Sequence, residues 1–257
     1  VQLNSLPRTV LFEGEYGCGK HTITKEISKQ LGYELVDLTN SIKLEVLQEI
    51  QLNPYPKVYL INCDEITVKE QNMILKFLEE PLKNSYIVLI TTSKQKLLQT
   101  VVNRCQCYTF EAYSREELEE FIEPESSSYI RTFGTTPGWI KILSICNIDE
   151  IVSLCEKIFL KINVANYSNV LTIPEKICFT KEPDGKIDFN IFSYILINIS
   201  KSLYENKQID FEVYKMTSKF FDDTHLLNIN KRHLFENYLI RLKSMLEGGV
   251  LYWKFKS

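Results

Sequence analysis

The segment Thr9–Gly32, TVLFEGEYGCGKHTITKEISKQLG, constrains the fold more than any other. Its opening is β-branched and apolar and ends in glycine, which reads as a buried strand. A glycine-rich turn follows, then a helix that stops at Gly32. A strand running through such a turn into a helix is the frame of a phosphate-binding loop, G-x-x-x-x-G-K followed by Ser or Thr. Backbone N–H groups freed by the glycines point at phosphate oxygens, and the helix dipole adds partial positive charge. Gly14, Gly17, Gly19 and Lys20 are therefore candidate nucleotide-binding residues, with Lys20 reaching the outer phosphates. His21 stands where a hydroxyl would meet Mg²⁺. Imidazole offers nitrogen where Mg²⁺ prefers oxygen. Thr22 comes one residue late, about 100° further round the helix. Both belong to the candidate site, but its metal side is altered.

The first half of the chain continues the alternation. YELVDL reads as a strand, IKLEVLQEI as a helix, KVYLIN (57–62) as a strand, and TVKEQNMILKFLEEP as a helix capped by Thr67 and halted before Pro81. YIVLITTS and QCYTF complete the strands. Strands alternating with helices imply a parallel sheet covered on both faces. After Phe110 the pattern changes. SREELEEFIE opens on Ser114 with Glu117 three residues later, a capping box, and PGWIKILSI is a helix with Pro at its first turn. From Asp149 onward DEIVSLCEKIFLKI, NIFSYILINISKSLYEN, DFEVYKMTSKFFDD and NKRHLFENYLIRLKSML carry apolar residues at helical spacing. KEPDGK is the clearest turn, and Gly248-Gly249 ends the last helix. EPESSS reads as a break inside the small helical region.

A net charge of −3 argues against this chain binding nucleic acid alone by bulk electrostatics, though a DNA site shared over several chains stays open. No run reaches a membrane span, and no signal peptide is visible. The seven cysteines form no C-x-x-C, so they read as reduced, largely buried thiols of a cytoplasmic protein, without zinc or disulfides. His225 and His233 suggest no third ligand, and the aromatic residues of the last hundred positions read as core.

An ATP-hydrolysing site also needs an acidic pair directly off the third strand. Here Asn62 and Cys63 follow the strand, and Asp64-Glu65 arrive two residues late. Reach to a phosphate-bound metal is exacting, so Asp64 and Glu65 read as solvated loop carboxylates.

NMILKFLEEP (72–81), VNRC (102–105) and the glycine loop together resemble AAA+ clamp-loader subunits of DNA replication. Their counterparts in that family are an N-x-L-L-K-x-L-E-E-P helix and an S-R-C motif. The likeness is strong over residues 8–112, weaker in GTTPGW, and fades after Asp149. It implies an α/β fold: an AAA+ P-loop domain with a parallel sheet over residues 1–111, a small helical lid over 112–148 and a C-terminal helical collar domain over 149–257. It matches Lys20 to the P-loop lysine and Thr92 to the sensor 1 position. Arg104 matches the S-R-C arginine, which in the family reaches ATP held by a neighbouring subunit; the alternative for Arg104 is a surface arginine in a local salt bridge.

The departures from the family are His21, the displaced acidic pair, and Gly138 where ATPase subunits carry a sensor 2 arginine. The zinc module of many bacterial relatives is absent. With only eight residues before the first strand, the segment that contacts adenine is short or missing. The resemblance thus implies a non-hydrolysing stator that offers Arg104 as an arginine finger in trans. Its partners would be other clamp-loader subunits, a sliding clamp and primer-template DNA reached through the assembly, with no membrane. Weak ATP or ADP binding stays open, as does Mg²⁺. The alternatives are a catalytically active clamp-loader ATPase subunit and an AAA+ protein outside replication.

Overall fold

Alternating side chains decide how the strands of this chain are used. In β1 (Thr9–Glu13) Val10 and Phe12 face one side of a sheet and Leu11 the other, and all three are buried. The computed structural model describes residues 6–38, 55–79, 85–180, 186–226 and 229–247. The expected helix IKLEVLQEI, most of the KEPDGK turn and Gly248-Gly249 lie outside them.

Among the described residues five parallel strands form one sheet: β1, β2 (Glu34–Asp37), β3 (Lys57–Asn62), β4 (Tyr86–Thr91) and β5 (Gln106–Thr109), in the order β2-β3-β4-β1-β5. One face is covered by α1 (Lys20–Leu31), whose Ile27 packs with Val10, Phe12, Val58, Leu60, Val88 and Ile90. The other is covered by α2 (Val68–Glu79) and α3 (Gln99–Val102), whose Ile74, Phe77, Leu78 and Val101 meet Leu11, Ile61 and Leu89. The α2 helix starts where expected. The Thr67 hydroxyl accepts from Glu70 N–H at 3.3 Å, and the Glu70 carboxylate accepts from Thr67 N–H at 2.6 Å. This reciprocal cap satisfies two donors that a helix start leaves unpaired.

The chain divides into two compact units. The first comprises Val1–Phe121 and Thr135–Trp139, and holds the sheet and α4 (Arg115–Glu119) with its Ser114–Glu117 capping box. The second comprises Ile122–Gly134 and Ile140–Ser257, and its described residues are helical without strands. The helix α6 (Pro137–Ile145) begins in the first unit and continues in the second.

Within the second unit lie α5 (Ser128–Phe133), α7 (Ile148–Lys161), α8 (Tyr167–Ile177), α9 (Phe189–Glu205), α10 (Phe211–Asp223) and α11 (Lys231–Glu247). Helix α9 packs on α7 and α10, and α11 on α8 and α10. Phe189, Phe192, Phe220, Phe235 and Tyr238 meet ring to ring in the interior, as core aromatics should, whereas Tyr167 and Phe211 are exposed. Two helices depart from the sequence reading. EPESSS runs into α5: Ser127 is the N-cap, its Oγ accepting from Tyr129 N–H, and Ser128 is the first helical residue. Helix α8 carries Pro174 in its interior, and a proline there removes one ladder donor, which hides the helix from a pattern reading.

Candidate functional site

The glycine loop leaves the C-terminal end of β1 and enters α1 through Gly19, whose φ of 105° lies in the left-handed region open to glycine. Lys20 is buried at 8% exposure, and its Nζ is turned back onto the loop. It donates to Gly14 O at 2.6 Å and Glu15 O at 2.8 Å, with Cys18 Sγ at 3.7 Å. A buried ammonium satisfied by carbonyls is held firmly, because an unpaired charge there is costly. His21 Nε2 pairs with Asp37 Oδ2 at 2.7 Å, at the end of β2. Thr22 is exposed on α1, and the buried hydroxyl of that turn is Thr24, which donates to Lys20 O at 2.8 Å.

The carboxylate two residues past β3 is no solvated bystander. Asn62 Oδ1 accepts from Asp64 N–H at 3.1 Å, which starts the short 3-10 turn Cys63–Glu65. Asp64 then accepts from three donors at the end of β4: Thr91 Oγ1 at 2.9 Å, Thr92 N–H at 2.8 Å and Thr92 Oγ1 at 3.0 Å. Lys96 Nζ donates to Thr92 Oγ1 at 2.9 Å and lies 3.7 Å from Asp64. The solvated-loop expectation for Asp64 is therefore corrected: both carboxylate oxygens are engaged, and the residue ties the ends of β3 and β4 together. The Glu65 side chain lies outside the described residues. Cys63 is buried beside this turn, and burial raises its thiol pKa far above the ordinary value, so it is inert as a thiolate.

The structure gathers Gly14, Gly17, Gly19, Lys20, His21 and Thr22 at the C-terminal end of β1, with Thr92 beside them. Gly14 N–H donates to Thr91 O at 3.1 Å. It sets Arg104 apart. Arg104 precedes β5, and its carbonyl accepts from Thr9 Oγ1 at 2.7 Å, at the start of β1. The whole of β1 separates it from the glycine loop, roughly 15 Å at about 3.3 Å per residue. Its guanidinium donates to Thr100 O at 2.8 Å and to the Glu79 carboxylate, and its side chain is one-third exposed.

Sequence reading missed Asp37 and the Asp64 network, and it allowed Glu79 a pairing without naming Arg104 as the partner. Two consecutive threonines, one closing the buried strand β4 and one following it, were the local signal for the Asp64 network. Among the described residues no group of three or more His, Cys, Asp or Glu is placed to hold a metal, and no helix is long and apolar enough to cross a membrane. His225 Nδ1 lies 2.9 Å from Phe221 O, and His233 Nδ1 lies 3.0 Å from Glu236. All seven cysteines are free thiols.

Residues 36–114 match the family described as DNA polymerase III, delta subunit. Over 99 residues the chain is 36% identical to the DNA polymerase III subunit delta′ of Bacillus subtilis, covering 35% of this chain and 30% of that protein. Over 107 residues it is 31% identical to the delta′ subunit of Haemophilus influenzae, covering 42% and 32%. The matched stretch thus spans about a third of these curated relatives. A gamma subunit-related protein of DNA polymerase III from Thermotoga maritima superposes with a TM-score of 0.51 at 16% identity, covering 94% of this chain and 96% of that one. The chain is thus similar to AAA+ clamp-loader subunits, delta′ among them, and the α/β AAA+ fold read from the sequence is borne out.

Proposed function

We propose, from that likeness, that this chain is a delta′-like clamp-loader subunit in DNA replication, one that does not hydrolyse ATP and lends Arg104 to a neighbouring ATPase subunit. One observation carries the reading: three described side chains that could manage metal or phosphate at this end of the sheet already have protein partners. Lys20 is bound by loop carbonyls, His21 by Asp37, and Asp64 by Thr91, Thr92 and Lys96. Weak ATP or ADP binding through loop N–H groups is compatible with this; the one side-chain oxygen ligand among these three residues is Asp64, which Thr91 and Thr92 already hold.

Arg104 suits a role in trans, because it stands at the opposite end of β1 from the chain's own loop. The planar, permanently charged fork can bind phosphate oxygens in pairs. Its ion pair with Glu79 is no obstacle. Pairs this exposed are worth about 0–1 kcal/mol, and a phosphate carries more charge than a carboxylate. Other clamp-loader subunits, a sliding clamp, primer-template DNA reached through the assembly, and a cytoplasmic location belong to the same reading.

The test is reconstitution with the clamp-loader subunits of its own cell. Arg104→Ala should leave the assembly intact and slow ATP turnover in the presence of clamp and primed DNA. Arginine fingers contribute about 10³–10⁵ in phosphoryl-transfer enzymes generally. An intact Arg104→Ala complex that turns over at the wild-type rate overturns the finger. ATP turnover by the isolated chain that vanishes in Lys20→Ala overturns the non-hydrolysing assignment.

A further inference from the structure

The structure assigns the glycine loop a second role: its carbonyls cap the N-terminus of helix α6. A helix start leaves N–H groups without partners inside the helix. In α6 the first residue is Pro137, which has no N–H, so Gly138 is the first donor to be satisfied. Gly138 N–H donates to Gly17 O at 3.0 Å. Thr136 supplies the rest: its Oγ1 accepts from Trp139 N–H at 3.2 Å and donates to Tyr16 O at 2.8 Å. Two consecutive loop carbonyls and one threonine thus finish the helix. The Thr135 hydroxyl adds a bond to the Glu15 carboxylate at 2.5 Å, and the Tyr16 ring lies on Trp139 with centroids 5.2 Å apart.

The approach is close enough to require glycine on both sides. A Cβ at Gly138 would lie 2.4 Å from Gly17 Cα and 3.0 Å from Gly17 O. A Cβ at Gly17 would meet Gly138 Cα and Thr136 Oγ1, each at 2.7 Å, and Gly17 also has φ of 77°. At Gly138 every close contact is with the Gly17 backbone, so no flexible side chain can yield there. Position 138 therefore lacks an arginine for a positive reason: any side chain there would push α6 off the loop. The inference stands whether or not Arg104 acts in trans.

Deuterium exchange of the full chain, read by mass spectrometry, tests the cap. Alanine favours a helix over glycine when nothing else intervenes, so Gly138→Ala should strengthen α6 if the loop does not cap it. The cap predicts the opposite: exchange across residues 136–141 about tenfold faster or more, as overpacking of a tight contact requires. Thr136→Val removes a hydroxyl without adding bulk and should quicken the same amides about fivefold; it keeps the test alive if Gly138→Ala does not fold. Gly32→Ala is the control, since Gly32 shares a left-handed φ of 69° but a Cβ there meets nothing within 4 Å; it should leave these amides unchanged. Unchanged protection in Thr136→Val, or in a folded Gly138→Ala, overturns the inference. So does wild-type protection of 136–141 that arises only when ADP is added.

Discussion

Asp64→Asn puts the β3–β4 tie to a direct test. In the wild type one carboxylate oxygen accepts the Thr91 and Thr92 hydroxyls, and the other accepts Thr92 N–H. An asparagine can keep its oxygen toward the two hydroxyls, but then its NH₂ confronts Thr92 N–H, donor against donor. A buried donor left without a partner costs about 1–3 kcal/mol. The two retained bonds also fall from charge-assisted to ordinary strength, roughly 1 kcal/mol each. The side chain is 21% exposed, so water offsets part of the loss. A net destabilisation of about 2–3 kcal/mol follows, or a midpoint lower by about 5–10 °C. The transition of the first unit can be followed by Trp139 fluorescence in a Trp253→Phe background, in urea and on heating. Lys96→Met, which removes an exposed ion pair and an exposed hydrogen bond to Thr92 Oγ1, should stay within about 0.5 kcal/mol. If Asp64→Asn also falls within 0.5 kcal/mol, Asp64 is a solvated carboxylate after all and the tie does not exist.

Further perturbations reach other parts of the molecule. Lys243 is buried, and its Nζ donates to Asn163 O at 3.0 Å, Ile162 O at 3.4 Å and the Glu247 carboxylate, closing the C-terminal end of α7. Lys243→Met should cost about 2 kcal/mol in urea unfolding of the second unit, and an unchanged midpoint would refute that capping role. The Thr67 hydroxyl and N–H hold the Glu70 carboxyl below its ordinary value of 4.5. A lowered native value gives stability that is present above the unfolded value and lost as pH falls through the native one. Glu70→Gln should therefore flatten the fall in stability below about pH 4.5, and identical acid limbs would count against the reciprocal cap. Burial pushes the Cys105 and Cys178 thiols up to about 12. A thiol reagent at pH 8 should leave both unmodified in the native protein and reach all seven cysteines on unfolding; fast native labelling at either, located by peptide mapping, would contradict the packing.

What the sequence made legible was local. Thr9–Gly32 announced its strand, turn and helix through adjacent residues, and Ser114 with Glu117 announced a cap through a fixed spacing. Contacts distant along the chain left no such trace. Asp64 meets Thr91 across 27 positions, and Tyr16 meets Thr136 across 120. Counting from the end of β3 placed Asp64 correctly along the chain, but it could not reveal the donors waiting at the end of the neighbouring strand. Helix α8 was obscured by Pro174, because tertiary packing overrode an unfavourable local propensity. His21 was legible as a departure from the phosphate-loop pattern, whereas its partner Asp37 sits on a strand that the pattern does not mention.

The strand order carries a consequence for how the protein is made. Of the five described strands β1 is translated before the others, yet it lies between β4 and β5, the last two of the sheet. Its apolar face must wait for Tyr86–Thr91 before either neighbour exists, roughly 80 residues or about 4–16 s at a synthesis rate of 5–20 residues per second. Parallel pairings at this separation form slowly even once the chain is complete. During that interval TVLFE is an unpaired, aggregation-prone edge, and the segment Thr135–Trp139 that completes the first unit has still to be translated. A factor that shields hydrophobic strands near the tunnel exit would cover β1 during that interval.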